Sequence, residues 1–338
     1  MKIDVALAQS VFPAAERARA LEATGVDGVY SFENGHDVFF PLVAAAPVCR
    51  LDLMTNLAMA FPRSPLHLAY AANDLHQLSE GRFRLGLGTQ IKAHIEKRYG
   101  ATWDKPVKQM RETVLATKAI LESWHDGTKL DFRGQYTQHT LMTPAFSPEK
   151  NPYGMPKILV GALGPKMNEM AAEVADGNLV MPFNTHKHMR ERTMPAIEAG
   201  LGKAGKSRDD IEIVAEVIVG VGRNEEELER ARAIKFTMAF YSSTPNYKAV
   251  LDTEGWGDVQ PELNAMTKQG LWADLPLLIT DDMMHTIGVY GTPDQVAEEI
   301  VARFGDCDRI AAYFPGYEAE DDVIAGFVAA VRSAAASG

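Results

Sequence analysis

At 338 residues the chain is long for one domain, yet within the range of a (β/α)₈ barrel that carries insertions. Hydrophobic residues make up 46% and charged residues 23%, enough for a large core, and no apolar run nears the ~20 residues of a membrane helix, so a soluble globular protein with no membrane partner is expected. A net charge of −11 speaks against a nucleic-acid partner, two cysteines are too few for a disulfide framework or a cysteine metal site, and the opening MKIDVALAQS lacks the regions of a signal peptide, which makes the cytoplasm the expected compartment.

Along the chain, short apolar runs alternate with helical patterns, the signature of βα units feeding a parallel sheet. Strands are expected at Ile3–Ala8, Gly28–Phe32, Asp52–Met59 and Phe83–Gly88, with helices at Ala14–Ala23, Leu42–Val48 and Leu66–Leu78 between them. Gly25 and Gly81 close two of these helices. A long helix, Val107–Trp124, leads into DGTKLDFRGQYTQHTLMTPAFSPEKNPYGMP, too long for a connector and expected to be functional or lid-like. The rhythm resumes with the strand Lys157–Gly161, the helix Pro165–Ala175, the strand Asn178–Pro182, the helix Met189–Ala204, the strand Ile211–Gly220 and the helix Glu225–Phe240. A second excursion, Tyr241 to Met284, reads as two or three helical pieces. The closing unit is GTPDQVAEEIVARFG, with Thr292 as cap and Pro293 at the first helical position, then the strand Arg309–Phe314 and the helix Asp321–Ala335. Eight strands with their helices predict an α/β fold, a single (β/α)₈ TIM barrel over residues 1–338 with insertions after strand 4 and before the last βα unit. A doubly wound open sheet is the alternative.

In such barrels the active site lies in the loops after the strands. After strand five, Gly161-Ala162-Leu163-Gly164-Pro165-Lys166 has small residues for close backbone approach, a proline that starts a helix and a cation: a phosphate cradle, or equally a tight packing turn. After strand two, His36 and Asp37 form either a proton-transfer pair or a helix-starting Asp beside an incidental histidine. His94 and His139 carry the same two readings. His186 and His188, two apart on a helix, point away from each other and have no carboxylate partner, so no metal site is expected. GxSxG, Walker and GxGxxG motifs are missing, since Leu85-Gly86-Leu87-Gly88 lacks the third glycine, which disfavours a nucleophilic hydrolase and a phosphoryl-transfer enzyme.

Taken together and in order, the segments HDVFFPLVAAA, AFPRSPLHLAYAANDLHQLSEGRFRLGLGTQIKAHIEKRYG, LDFRGQYTQHTLMTP, GALGPKMNEMAAEVADG and STPNYKAVLDTEGWGDVQPELN resemble the luciferase-like monooxygenase superfamily, in its deazaflavin (coenzyme F420)-dependent oxidoreductase branch. The resemblance covers nearly the whole chain. It implies a cofactor across the strand ends, with its ring over strands three and four and its phosphate near Gly161–Lys166. It also implies a non-prolyl cis peptide at about Asn56-Leu57. Glu33 and Asn34 match the acid-histidine pair of many members, and Thr89, Gln90 and His94 match ring-contacting positions. Two departures stand out: Asn34 replaces a common histidine, with His36 two residues on, and Gln90-Ile91-Lys92 replaces an acid of the sugar-phosphate dehydrogenases, which speaks against a sugar phosphate.

The expected activity is hydride transfer between F420 and a small organic substrate, by a homodimer as is common in the superfamily. The alternatives are an FMN-dependent monooxygenase of the same fold and a cofactor-binding barrel without catalysis. His36 is the expected proton-transfer residue, with Glu33 or His94 as its rivals.

Overall fold

The computed structural model describes residues 1–7 and 10–337. Eight parallel strands close into a barrel: β1 (Lys2–Ala6), β2 (Gly28–Ser31), β3 (Asp52–Thr55), β4 (Phe83–Gly88), β5 (Lys157–Ala162), β6 (Gly177–Val180), β7 (Glu212–Val221) and β8 (Arg309–Tyr313). Each pairs with the next in chain order, and β8 pairs back to β1 with Ile310 opposite Ile3, so no edge is left open. The open-sheet alternative is thereby excluded. The expected end of the first strand, Ala8, lies outside the described residues.

Around the barrel run α1 (Val11–Ala23), α2 (Phe39–Ala45), α3 (Pro65–Leu78), α4 (Pro106–Asp126), α5 (Pro165–Val174), α6 (Met194–Ala204), α7 (Pro293–Phe304) and α8 (Asp321–Ser337). Their starts follow from local chemistry. The Ser64 hydroxyl accepts the His67 N–H ahead of Pro65, and Thr292 and Gln295 form a reciprocal capping box around Pro293.

Outward strand residues such as Val5, Leu85, Ile158 and Val217 join the helices in one large apolar core. The inward residues, which alternate with them, stack in three layers. The bottom layer is ionic: Arg309 and Asp4, both 2% exposed, form a bidentate pair, Arg309 also reaches Asp52 at 2.8 Å, and Glu212 accepts from Arg84 at 3.0 Å and from Lys157 at 3.1 Å. The middle layer is apolar, built by Tyr30, Met54, Leu159, Leu179, Val214 and Ala311. By strand parity the top layer holds Phe32, Asn56, Gly88, Gly161, Met181, Glu216 and Tyr313, and it is the floor of the barrel mouth.

Several segments differ from expectation. Residues 92–97 after β4 form a short helix, so His94 stands on a helix and not in a loop. The stretch 225–240 breaks at Arg232-Ala233 into two helices, Glu225–Ala231 and Ile234–Ser242, and a π-turn at Met189–Thr193 precedes α6. The first excursion is docked along the barrel wall. The Glu112 carboxylate accepts the Gln135 and Thr137 N–H groups at 2.7 and 2.6 Å, Tyr70 of α3 donates to the Phe146 carbonyl at 2.8 Å, and a two-stranded ribbon pairs Phe132 with His139. The second excursion, with helices Lys248–Glu254, Val259–Gln269 and Asp281–Ile287, builds its own apolar cluster with Phe183 and Ile218, which caps the mouth on the β6–β7 side.

Candidate active site

Glu33, just past β2, is the hub of the loops over β2, β3 and β4. One carboxylate oxygen accepts the Met59 N–H at 2.9 Å and Arg63 at 2.6 Å, and the other accepts the Tyr99 hydroxyl at 2.9 Å. Arg63 also donates to Asp37 at 2.8 Å and to the Met59 carbonyl at 3.1 Å, and lies over the Phe39 ring. Burial works against the Arg63 charge, but its hydrogen bonds to Glu33 and Asp37 outweigh that cost and raise its pKa above the ordinary value. Asp37 is therefore engaged by Arg63 and the Phe39 N–H, and not by His36. His36 is exposed on the rim, as is His94, and Asn34 sits beside them with its carbonyl accepting from Arg98.

The peptide between Asn56 and Leu57 is cis, as the resemblance implied. It separates β3 from the two-residue strand Ala58–Met59, which pairs with Leu87 and Gly88 of β4. Asn56 is buried, and its Nδ2 makes no hydrogen bond of normal geometry among the described residues. The Leu57 side chain fills the space that a side chain on Gly88 or Gly161 would need: a Cβ on either would stand 2.3 Å from a Leu57 methyl. Gly161 thus serves close packing against Leu57 at the top of the barrel. Thr89 and Gln90 follow β4, with Gln90 at φ 56° and its side-chain oxygen accepting the Ile91 N–H at 3.0 Å.

At the end of β5 Ala162 is buried; beyond it Leu163 is half-buried, whereas Gly164, Pro165 and Lys166 are exposed. Gly164 caps α5 without a side-chain hydrogen bond, and nothing lies within 4 Å of where its Cβ would be. Such an uncapped helix start, with the Lys166 ammonium beside it, has the charge and room for a phosphate. Buried Asn56 and the α5 N-terminus together fit a flavin-type cofactor laid across the mouth: an amide at the floor and an anion site at the rim.

Glu216 was not legible as a site residue. It stands at an inward position of β7, two residues above Val214 of the middle layer, half-buried at the floor of the mouth. Burial pushes its carboxyl up to about 8, against the opposing effect of the Asn56 side chain. Tyr30, Tyr241 and Tyr313 surround it closely enough to interact electrostatically, and Tyr313 meets Phe32 edge-to-face at 6.0 Å. The available signal was an acid in the middle of the apolar strand EIVAEVIVGV, at the same parity as the Glu212 that begins it.

Two further histidines lie elsewhere. His188 is buried with Nδ1 2.9 Å from the Asn184 side-chain oxygen, and His139 pairs with Thr137 on the ribbon. No group of three or more metal-ligating side chains is assembled among the described residues.

The sequence profile described as luciferase-like monooxygenase matches residues 5–306. An uncharacterized protein of Mycobacterium tuberculosis is 42% identical over 93% of both chains. The 5,10-methylenetetrahydromethanopterin reductase of Archaeoglobus fulgidus is 33% identical over 79% of this chain and 78% of its own. Among solved structures, the coenzyme F420-dependent tetrahydromethanopterin reductase of Methanopyrus kandleri superposes with a TM-score of 0.83 over 98% of both chains, at 21% identity. With a profile match across most of its length and two relatives above 30% identity, the chain belongs to the luciferase-like monooxygenase family of oxidoreductases.

Proposed function

We propose that the protein is a coenzyme F420-dependent oxidoreductase that transfers hydride between the deazaflavin and a small organic substrate, and that it does so as a homodimer. The observation that carries this reading is the kinship with reductases: the Archaeoglobus relative and the F420-dependent Methanopyrus structure share a named activity class. The cofactor supplies two-electron hydride chemistry when bound. The chain supplies position. Gly164, Pro165 and Lys166 at the start of α5 would hold the phosphate, and Asn56, Leu57, Thr89 and Gln90 would form the surface against the ring. Glu33, through Arg63, Met59 and Tyr99, would keep the three loops in register.

The family's own description, luciferase-like monooxygenase, favours a second reading, a monooxygenase, for which FMN would be the cofactor. Fluorescence titration of the purified protein with oxidised F420 and with FMN separates the two. Tighter binding of F420 is expected, and tighter FMN binding would replace the first reading by the second.

A further inference from the structure

We propose that Glu216 is the catalytic acid that exchanges a proton with the substrate, and that it restricts the substrate to one whose reducible bond is a polar C=O or C=N. The inference rests on the hydride-transfer reading and adds the proton that this chemistry requires. When a carbon of such a bond receives an electron pair with its hydrogen, the π pair moves to the oxygen or nitrogen. That heteroatom then takes a proton. Here the Glu216 O–H bond breaks, an O–H or N–H bond forms on the substrate, and the carboxylate left behind recovers a proton from solvent through the mouth. The electron pair comes from the reduced deazaflavin named above.

The geometry selects Glu216 from the groups at hand. It lies at the inward top-layer position of β7 and keeps part of its surface open to the mouth, with the Asn56 amide facing it. Glu33 accepts three hydrogen bonds from Met59, Arg63 and Tyr99. His36 and His94 are exposed on the rim. The titratable groups facing Glu216 are phenols: Tyr30 from β2, whose hydroxyl donates to the Ala312 carbonyl at 3.0 Å, Tyr241 from the helix Ile234–Ser242, and Tyr313 from β8. Burial pushes Tyr313 up to about 12 and the other two well above their ordinary value, so the phenols stay protonated. Glu216 alone in this cluster titrates near neutrality, where a proton donor is most effective.

Infrared spectroscopy of wild type against Glu216→Gln reads this without turnover. In wild type a protonated-carboxyl band should be present at neutral pH, disappear as pH rises past about 8, and shift when oxidised F420 is added. Glu216→Gln should lack the band, with its melting temperature and F420 affinity unchanged. A carboxyl already ionised at neutral pH, or a band indifferent to F420, overturns the proposal. In a second experiment, reduced F420 is oxidised with a panel of small ketones, aldehydes and cyclic imines, and Glu216→Gln should lower kcat by about 10²-fold or more. Normal turnover in Glu216→Gln with a large loss in His36→Ala would move the role to His36 and overturn it. If wild type fails to quench F420 fluorescence at all, the cofactor reading falls, a result distinct from bound cofactor with an unresponsive carboxyl.

Discussion

Two glycines three residues apart in the β5–α5 segment have opposite surroundings, and substitutions at them should fail in opposite ways. At Gly164 the backbone is extended and a Cβ meets nothing within 4 Å, so a side chain is accommodated. Gly164→Asp should keep its melting temperature yet lose F420 affinity by about tenfold or more, since a carboxylate at a helix start repels a phosphate there. Gly164→Ala should bind normally. Retained binding in the Asp variant would make the segment a packing turn. At Gly161 a Cβ would stand 2.3 Å from Leu57. Gly161→Ala should cost about 1–3 kcal/mol in denaturant unfolding through overpacking, and Leu57→Ala in the same chain should recover part of it. Additive losses in the double variant would show that the two positions do not meet.

At the scale of elements, the bottom of the barrel carries the strongest electrostatics and none of the expected chemistry. Lys2, Asp4, Asp52, Arg84, Lys157, Glu212 and Arg309 come from six strands and tie their N-terminal ends together. Removing one member strands its partners: Arg309→Met leaves Asp4 buried without its bidentate partner and should cost about 3–5 kcal/mol. Burial alone would raise Glu212, but Arg84 and Lys157 outweigh it and hold its carboxyl below the ordinary range; Asp52 is likewise lowered, by Arg84, Lys2 and Arg309. A depressed folded pKa means that this stability is complete above the unfolded-state value of about 4 and is lost as pH falls through the folded value. Asp4 runs the other way, because burial dominates there and raises it. Melting temperatures measured from neutral to acid pH should therefore fall less steeply in Glu212→Gln than in wild type, from a lower starting point. An unchanged acid limb would exclude Glu212 from the network's pH response.

For the whole molecule, the proposed cofactor site is spread over β3, β4 and α5, elements that close together only in the folded barrel. Binding there should stabilise the entire chain. At about 100 times its Kd a ligand that binds only the folded state adds about 2.7 kcal/mol, so F420 should raise the melting temperature and FMN at equal concentration should raise it less. Equal or larger stabilisation by FMN would favour the monooxygenase reading. The second excursion packs on Phe183, Ile218 and Tyr313, which places it over the β6–β7 side of the mouth.

The eight strands, both insertions, the cap at Thr292 and the helix start at Pro165 were determined by the sequence alone. Each depends on local physics: an apolar run of strand length, an amphipathic helix, or a proline and a hydroxyl at the right offset. The resemblance carried by the loops after strands two to five led further, to the cis peptide at Asn56-Leu57 and the family itself. What only the tertiary structure decided depends on residues far apart in the chain. Asp37 looked like a partner for His36 because the two are adjacent, but Arg63, 26 residues away, takes it. That Gly161 must be a glycine is decided by Leu57, more than a hundred residues away, whose methyl occupies the place of a side chain there. The ribbon at Phe132–His139 is held by Glu112 of α4, and no local periodicity announces so short a pairing. Glu216 reads as the second acid of an otherwise apolar strand, and it becomes the floor of the mouth only because barrel closure turns that face of β7 inward beside Asn56, Tyr30 and Tyr313.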